Sequence, residues 1–594
     1  MLNRFKKTLI FTTLLSILIS LFFFQACTET AREFTCEKKY LNLPVQYGGE
    51  QRHLEFYIDG IKVREMEMAL ADSDQPDFWV YLELKDFQGK PATLTIDSLP
   101  GNTAKGFAAI YQDDTFPGED NLYKEKLRPQ IHFSSKRGWN NDPNGMVYYD
   151  GEYHLFYQHN PFDWPWGNMT WGHAVSTDMI HWEELGDAIQ LDELGTIFSG
   201  GAVVDHNNTS GFQTGEEKPI VCFYTSAGDV NPWSEGQPFT QSMAYSNDRG
   251  RTFTKYKGNP IIGHIRGGNR DPKVIWHEPT QKWAMVLYVE EDEFDFFTSP
   301  DLKNWTNTSR LPSFHECPEL FELPVDGDTN NMKWVTYGAG SEYYVGSFDG
   351  ETYSPETDRI RFNYGRNFYA SQTFSDIPKE DGRRIMMGWG QVPMLGMPFN
   401  QQMSTPIELS LKTTDEGIRM FSKPVREIEN LHKKKHSFQN KQIDGNETLE
   451  GIEGELFHIK AEFTIGKAQY VGLVIREFQI YYDVQKNQLV CDAPDNNIDL
   501  KQFSKKFMEV VKEEAGDFLE FDPIETSVKP VNSKIKLEII VDRTYVETFV
   551  NDGLYYIPKG AYLTDRDPAI IVFSKGGKTK LNNLEIYELN SIWN

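Results

Sequence analysis

Three acidic residues stand where turn-formers give way to apolar runs. Asp142 lies in GWNNDPNGMVYYDGEYHLFYQHNP (Gly138 to Pro161), Asp271 in GGNRDPKVIW and Glu316 in FHECPELFEL. A proline follows each acid directly or after one residue, and its fixed φ sets the local turn. Singly, each has an ordinary explanation. Asp142 suits a cap or turn, Asp271 an ion pair with Arg270, and Glu316 a surface acid, with Glu319 as its rival. Together they form a constellation only if distant strands bring them to one place. Carboxylates so gathered serve as nucleophile and general acid or base.

The elements that must do this are β-strands. MVYYDGEYHLFYQ alternates about Asp150-Gly151, as a hairpin does. A two-residue loop there sets Tyr149 opposite Glu152 and Pro143 opposite Gln158, placing Asp142 and Gln158 at one end of the hairpin. From about Pro129 to Asn430 short strands and Gly-rich turns recur, with a weak repeat: STDMIHW (Ser176 to Trp182), SPDLKNW (Ser299 to Trp305), and looser copies SNDRGRTF and SFDGETYS. Turns repeating every ~50–70 residues suit propeller blades of four antiparallel strands, about five of them over this length. In such a ring each blade's first strand lines a central channel, whose mouth would receive the three acids.

The rest of the chain also reads as β. Residues 27–128 form an N-terminal β module with hairpins at Asp59-Gly60 and Gly89-Lys90. Residues 431–594 form a C-terminal β-sandwich with a hairpin turn at Asn551-Asp552-Gly553 and a short helix over Leu500 to Glu514. The basic run LHKKKH (Leu431 to His436) reads as a solvated linker into it. The fold class is therefore all-β: a five-bladed propeller over 129–430 between a small sandwich-like module and a larger sandwich.

The formal net charge of −27 excludes nucleic acid and disfavours polyanionic substrates. Aromatic residues make up 14%, which suits surfaces that stack on sugars. Arg4, Lys6 and Lys7 precede an apolar stretch from Leu9 to Phe24, so residues 1–26 read as a secretory signal. Ala26-Cys27 resembles a bacterial lipoprotein cleavage site, which would make Cys27 the lipidated first residue and its lipid the membrane anchor. Cys36, Cys222, Cys317 and Cys491 show no metal-ligand spacing and read as buried single thiols.

WNNDPNG, FYQHNP, WGNMTWGHAVSTDMIHW, FSGGAVV, RDPKV, ECPELF and NFYASQTF, in this order, resemble the successive motifs of glycoside hydrolase family 32, the β-fructosidases. LEIIVDRTYVETFVNDG resembles part of that family's C-terminal sandwich. The resemblance implies Asp142 as nucleophile, Glu316 as acid/base and Asp271 as transition-state stabiliser. It places Asn141, Gln158, Trp166, Phe198, Ser199, Arg270 and Trp389 around the fructose, and it leaves Trp171 and Trp182 to packing. The implied reaction uses no metal or other cofactor. It proceeds with retention, Asp142 staying ionised through its hydrogen bonds and Arg270 keeping Asp271 charged. Asn363, Arg366, Asn367 and Ile407 depart from the family pattern. The first two remove a charged grip on the glucose of sucrose, which favours fructan chains; Ile407 alters packing. The expected activity is release of terminal β-D-fructofuranosyl residues from levan or inulin. The alternatives are an endo-levanase, an invertase and, in another class, an inactive fructan-binding lipoprotein.

Overall fold

The structure, a computed structural model, describes residues 30–73, 75–494, 498–515 and 522–593. Its central hairpin forms where the alternation predicts: Gly138–Tyr149 pairs antiparallel with Glu152–Asn160, with Tyr149 opposite Glu152. Towards the open end, two register shifts intervene. Pro143 faces Tyr157 rather than Gln158, and Asn141 and Asp142 fall in the irregularity between the Asn140–His159 and Pro143–Tyr157 pairs. The expected facing of Pro143 and Gln158 is therefore corrected. A proline cannot donate to the ladder, and a bulge re-aims the side chains beside it.

Neighbouring sheets repeat this plan. Glu183–Ile189, Thr170–Ser176, Glu152–Asn160 and Gly138–Tyr149 lie side by side in the first; Arg270–His277, Lys282–Tyr288, Glu293–Ser299 and Thr306–Pro312 form a later one. Glu319–Val325 begins a four-strand run that joins the sheet of Tyr369–Thr373 and Arg384–Gly390 through one parallel pair, Val325–Leu411. The Ser-x-Asp repeats sit between the third and fourth strands of successive sheets. Ser176, Ser246 and Ser299 donate to Asp178, Asp248 and Asp301, which accept backbone N–H groups across the turn.

Backbone bonds between innermost strands close the ring. Gly145 N–H donates to Gly200 O, Gly201 N–H to Pro272 O and Ser375 N–H to Met146 O, all at 2.8–2.9 Å. Phe399–Asn400 runs parallel to Gly138-Trp139 and completes the closure. Ile407 is fully buried in this core, in keeping with a packing role.

The N-terminal residues build two sheets over one core. Ala31–Thr35, Pro91–Ile96, Arg52–Ile58 and Ile61–Met68 form one; Phe78–Glu83, Tyr40–Val45 and Tyr111–Asp113 form the other. The hairpin at Asp59-Gly60 is present. That at Gly89-Lys90 is not, because Phe78–Glu83 and Pro91–Ile96 lie in different sheets and a 3-10 turn at Lys85–Phe87 carries the chain between them. Alternation marks the strands but does not say which partner each takes.

The basic run also differs from expectation. His432–Leu449 is a long strand paired along Ile570–Leu589, not a linker. Its lysines are exposed while His432 stacks on Tyr587 and His436 bonds Glu588 at 2.8 Å, so the charges are solvated and the backbone is in the ladder. The turn at Asn551-Asp552-Gly553 forms, and a helix covers Lys505–Ala515. Buried Asp542 accepts from the backbone N–H groups of Gln130, Ile131 and His132, fastening the ten-stranded C-terminal sheet onto the ring.

Candidate active site

The innermost strands bring the three acids together at the mouth of the ring. Asp142, Asp271 and Glu316 line one hollow of about 250 Å³ with Asn141, Gln158, Trp166, Phe198, Ser199, Arg270, Tyr369 and Trp389. Every residue expected around the sugar is there. Tyr369 was missed. It begins the inner strand Tyr369–Thr373 as Arg270 begins Arg270–His277, so its place at a strand start was the available signal.

Each acid is held by its neighbours. Buried Trp139 donates from Nε1 to Asn141 Oδ1 at 2.8 Å, which turns the Asn141 amide to donate to Asp142 Oδ1 at 3.0 Å. Ser199 Oγ donates to Asp142 Oδ2 at 2.7 Å. Ser199 lies in the break between the short strands Thr196–Phe198 and Ala202–Val204. That break needs Gly200, where a Cβ would fall 2.0 Å from the Phe223 carbonyl.

Asp271 Oδ2 accepts from the Cys317 backbone N–H at 3.0 Å. The Cys317 thiol lies 3.6 Å from Asp142 and 3.5 Å from Asp271. Burial, then the neighbouring carboxylates, push this thiol up, so it stays neutral, with its one S–H within reach of either carboxylate. Cys317 is free and buried, as expected for a single thiol, along with Cys36, Cys222 and Cys491. Asp271, Glu316 and Cys317 all have positive φ (66°, 30° and 43°). Such backbone strain in non-glycine residues costs about 1–3 kcal/mol each and gathers at functional sites.

Arg270 does not sit as expected. Its Nε and Nη2 donate to Glu316 Oε2 at 3.0 and 2.6 Å, while its approach to Asp271 is 3.7 Å. Glu316 Oε1 accepts from Tyr369 Oη at 2.7 Å. Arg270 thus chiefly orients Glu316, and burial outweighs its charge at Asp271, whose carboxyl is raised. The expectation of a low pKa for Asp142 is likewise corrected. Burial and then the Glu316 charge push it up to about 6, against the hydrogen bonds from Ser199, Asn141 and Cys317. Loss of water costs a carboxylate more than these donors return.

Glu319, the rival acid, is fully buried beneath the site and paired with Lys273 at 2.7 Å. It is structural. Gln158 is buried, and its Nε2 has no protein partner among the described residues. An orphaned buried donor costs about 1–3 kcal/mol, and a sugar hydroxyl would satisfy it. Trp166 is the exposed aromatic of the rim, at 41%, edge-on to Phe198. Trp389 packs edge-on against Trp139. Trp171 and Trp182 are buried, as packing requires.

Asn363 and Arg366 do not reach the hollow. Asn363 is buried, accepting from Gly365 N–H and donating to Ser341; Arg366 is exposed, its backbone bonded to Pro558. Asn367 ties Gln391 to Gly560. These three departures lie in the joint between ring and C-terminal sheet, so they do not support the preference for fructan over sucrose.

The chain is similar to known proteins along most of its length. The family profiles described as "Glycosyl hydrolases family 32 N-terminal domain" and "Glycosyl hydrolases family 32 C terminal" match residues 132–424 and 427–588. A levanase of Bacillus subtilis is 41% identical over 80% of this chain and 72% of its own. An extracellular exo-inulinase of Aspergillus awamori is 31% identical over 80% of this chain and 96% of its own. The crystal structure of exo-inulinase from Aspergillus awamori superposes with a TM-score of 0.69 at 29% identity, covering 79% of this chain and all of that one. Both profiles match in order, and a relative 41% identical is covered over 72% of its length: the chain belongs to glycosyl hydrolase family 32.

Proposed function

We propose that the protein hydrolyses terminal β-D-fructofuranosyl residues of fructans, levan or inulin, with net retention through a covalent fructosyl-enzyme. The observation that carries this is the meeting of Asp142, Asp271 and Glu316 in one hollow. Its volume of about 250 Å³ is below the usual range for drug-sized ligands and suits one furanose ring at a chain end. The likeness to an exo-inulinase supports the same reading.

In the first step Glu316 gives its proton to the glycosidic oxygen, the C2–O bond breaks, and an Asp142 oxygen bonds to C2. Asp271 accepts fructose hydroxyls and stabilises the oxocarbenium-like state. In the second step Glu316 takes a proton from water, the water oxygen bonds to C2 and the ester to Asp142 breaks. Arg270 and Tyr369 hold the Glu316 carboxyl in place through both steps.

The division into a 27–128 module, a five-bladed propeller over 129–430 and a 431–594 sandwich belongs to this proposal. So does export with a lipid on Cys27, which lies outside the described residues; the likeness to an extracellular enzyme supports secretion. Asp142→Ala and Glu316→Ala, assayed on levan and inulin with product chromatography, test the chemistry. Each is expected to lose about three orders of magnitude or more, and the parent to yield fructose alone. A ladder of oligosaccharides would show endo action, and sugar binding without fructose release would show a binding protein.

A further inference from the structure

The rim of the hollow is held from outside the ring. Trp166 lies in the stretch Pro161 to Asn168, and both ends of that stretch are gripped by the N-terminal sheets. Asp163 is only 2% exposed. Its Oδ2 accepts from Ala69 N–H at 2.7 Å and Gln51 Nε2 at 2.9 Å, and its Oδ1 from Trp164 N–H at 2.7 Å. Asn168, at φ 47°, makes a reciprocal pair with the Glu67 backbone. Glu67 N–H donates to Asn168 Oδ1, and Asn168 Nδ2 donates to Glu67 O, each at 2.7 Å. The amide therefore pairs with strand Ile61–Met68 as a neighbouring strand would.

The same strand holds a second loop, which backs the rim. Glu65, 3% exposed, accepts from Trp233 N–H at 3.0 Å and from Asn231 Nδ2 at 3.3 Å. Lys62 bonds Glu65 at 2.8 Å and lies 4.5 Å over the Trp233 ring. This loop runs on to Phe239, which meets Phe198 edge-on at 5.6 Å, and Phe198 in turn meets Trp166 at 5.9 Å.

The N-terminal core is itself not self-contained. Phe162 and Trp164 from the Trp166 stretch, and Phe507 and Val511 from helix Lys505–Ala515, are part of it. The Glu514 carboxyl at the end of that helix faces the Trp166 backbone.

From these contacts we infer that the N-terminal module is a positioning part of the active site, with strand Ile61–Met68 fixing the Trp166 rim loop and the loop that backs it through Phe239 and Phe198, where the fructan unit beside the scissile bond is received. Asp163 and Asn168 are positioning residues acting through Trp166. The inference rests on the fructan-hydrolase reading for the identity of the sugar.

The test is a double-mutant cycle in the full chain: Asp163→Ala, Trp166→Ala and the pair, with kcat and KM measured on levan oligosaccharides. Asp163→Ala, which removes the acceptor of three hydrogen bonds, is expected to raise KM at least about 10-fold, with kcat within about threefold. Asp163→Asn should recover part of this. Because Asp163 acts through Trp166, the double variant should be no worse than Trp166→Ala alone. Additive losses, an unchanged KM, or a fall in thermal stability with unchanged kinetics would overturn the inference. Should Asp163→Ala fail to fold, Gln51→Ala removes one of the same donors and enters the same cycle, with KM expected to rise severalfold. If the parent released no fructose, the proposed function would fall. The cycle would then be read on the dissociation constant for the same oligosaccharides, and additivity there would overturn the positioning role.

Discussion

Replacing Ser199 by alanine should move the acid limb of activity to higher pH. The Ser199 hydroxyl donates to Asp142 Oδ2 at 2.7 Å and so favours the ionised form of a carboxyl already pushed up to about 6. A hydrogen bond to a charged acceptor is worth about 1.5–3 kcal/mol, and about 1.4 kcal/mol corresponds to one pKa unit. The Asn141 donor remains, which places the expected shift at the low end, about one unit. The sign follows from the role: Asp142 attacks as a carboxylate, and raising its pKa shrinks the ionised fraction at any pH near it. In kcat/KM against pH, which reports the free enzyme, the parent should lose activity below about pH 6 and Ser199→Ala below about pH 7. At pH 5, below both limbs, the variant should be about 10-fold slower than the parent on the strength of this shift alone. The assay is fructose release from levan oligosaccharides well below KM, from pH 4.5 to 8.5. A limb that stays where it was, with a loss equal at every pH, would refute the reasoning. It would mean that Ser199 touches the sugar but does not govern Asp142.

Tyr369→Phe removes the hydroxyl that donates to Glu316 Oε1 at 2.7 Å; kcat on levan should fall about 10–100-fold with KM nearly unchanged, and an unchanged kcat would reduce Tyr369 to lining. Lys273→Met strands the buried Glu319 carboxylate that it now pairs at 2.7 Å, so urea unfolding should show a loss of about 3–5 kcal/mol. Adding Glu319→Gln should return most of it, and activity of the double variant should survive, as befits a pair beneath the site rather than in it.

Much of the site was legible because its residues announce themselves locally. Asp142 and Asp271 directly precede a proline and Glu316 precedes one by a single residue, and the turns of the Ser-x-Asp repeats are closed by hydrogen bonds within a few residues. Such features need no distant partner to form. The register near Asp142 was not legible, since period-two alternation is blind to a bulge that slips it by one residue. Nor was the basic run, whose exposed lysines look the same on a linker and on the outer face of a strand.

What the amino-acid order alone determined, then, was the set of strands, the turns between them and the acids at their starts, all short-range consequences of side-chain type. The folded ring decided the rest. It chose Glu316 over Asp271 as the partner of Arg270 and brought Tyr369 onto Glu316. It sank Glu319 into an ion pair and raised Asp142 by stripping away its water. Each of these depends on distance and burial between groups far apart in the chain, and a carboxylate's charge is governed by its surroundings rather than by its neighbours in sequence.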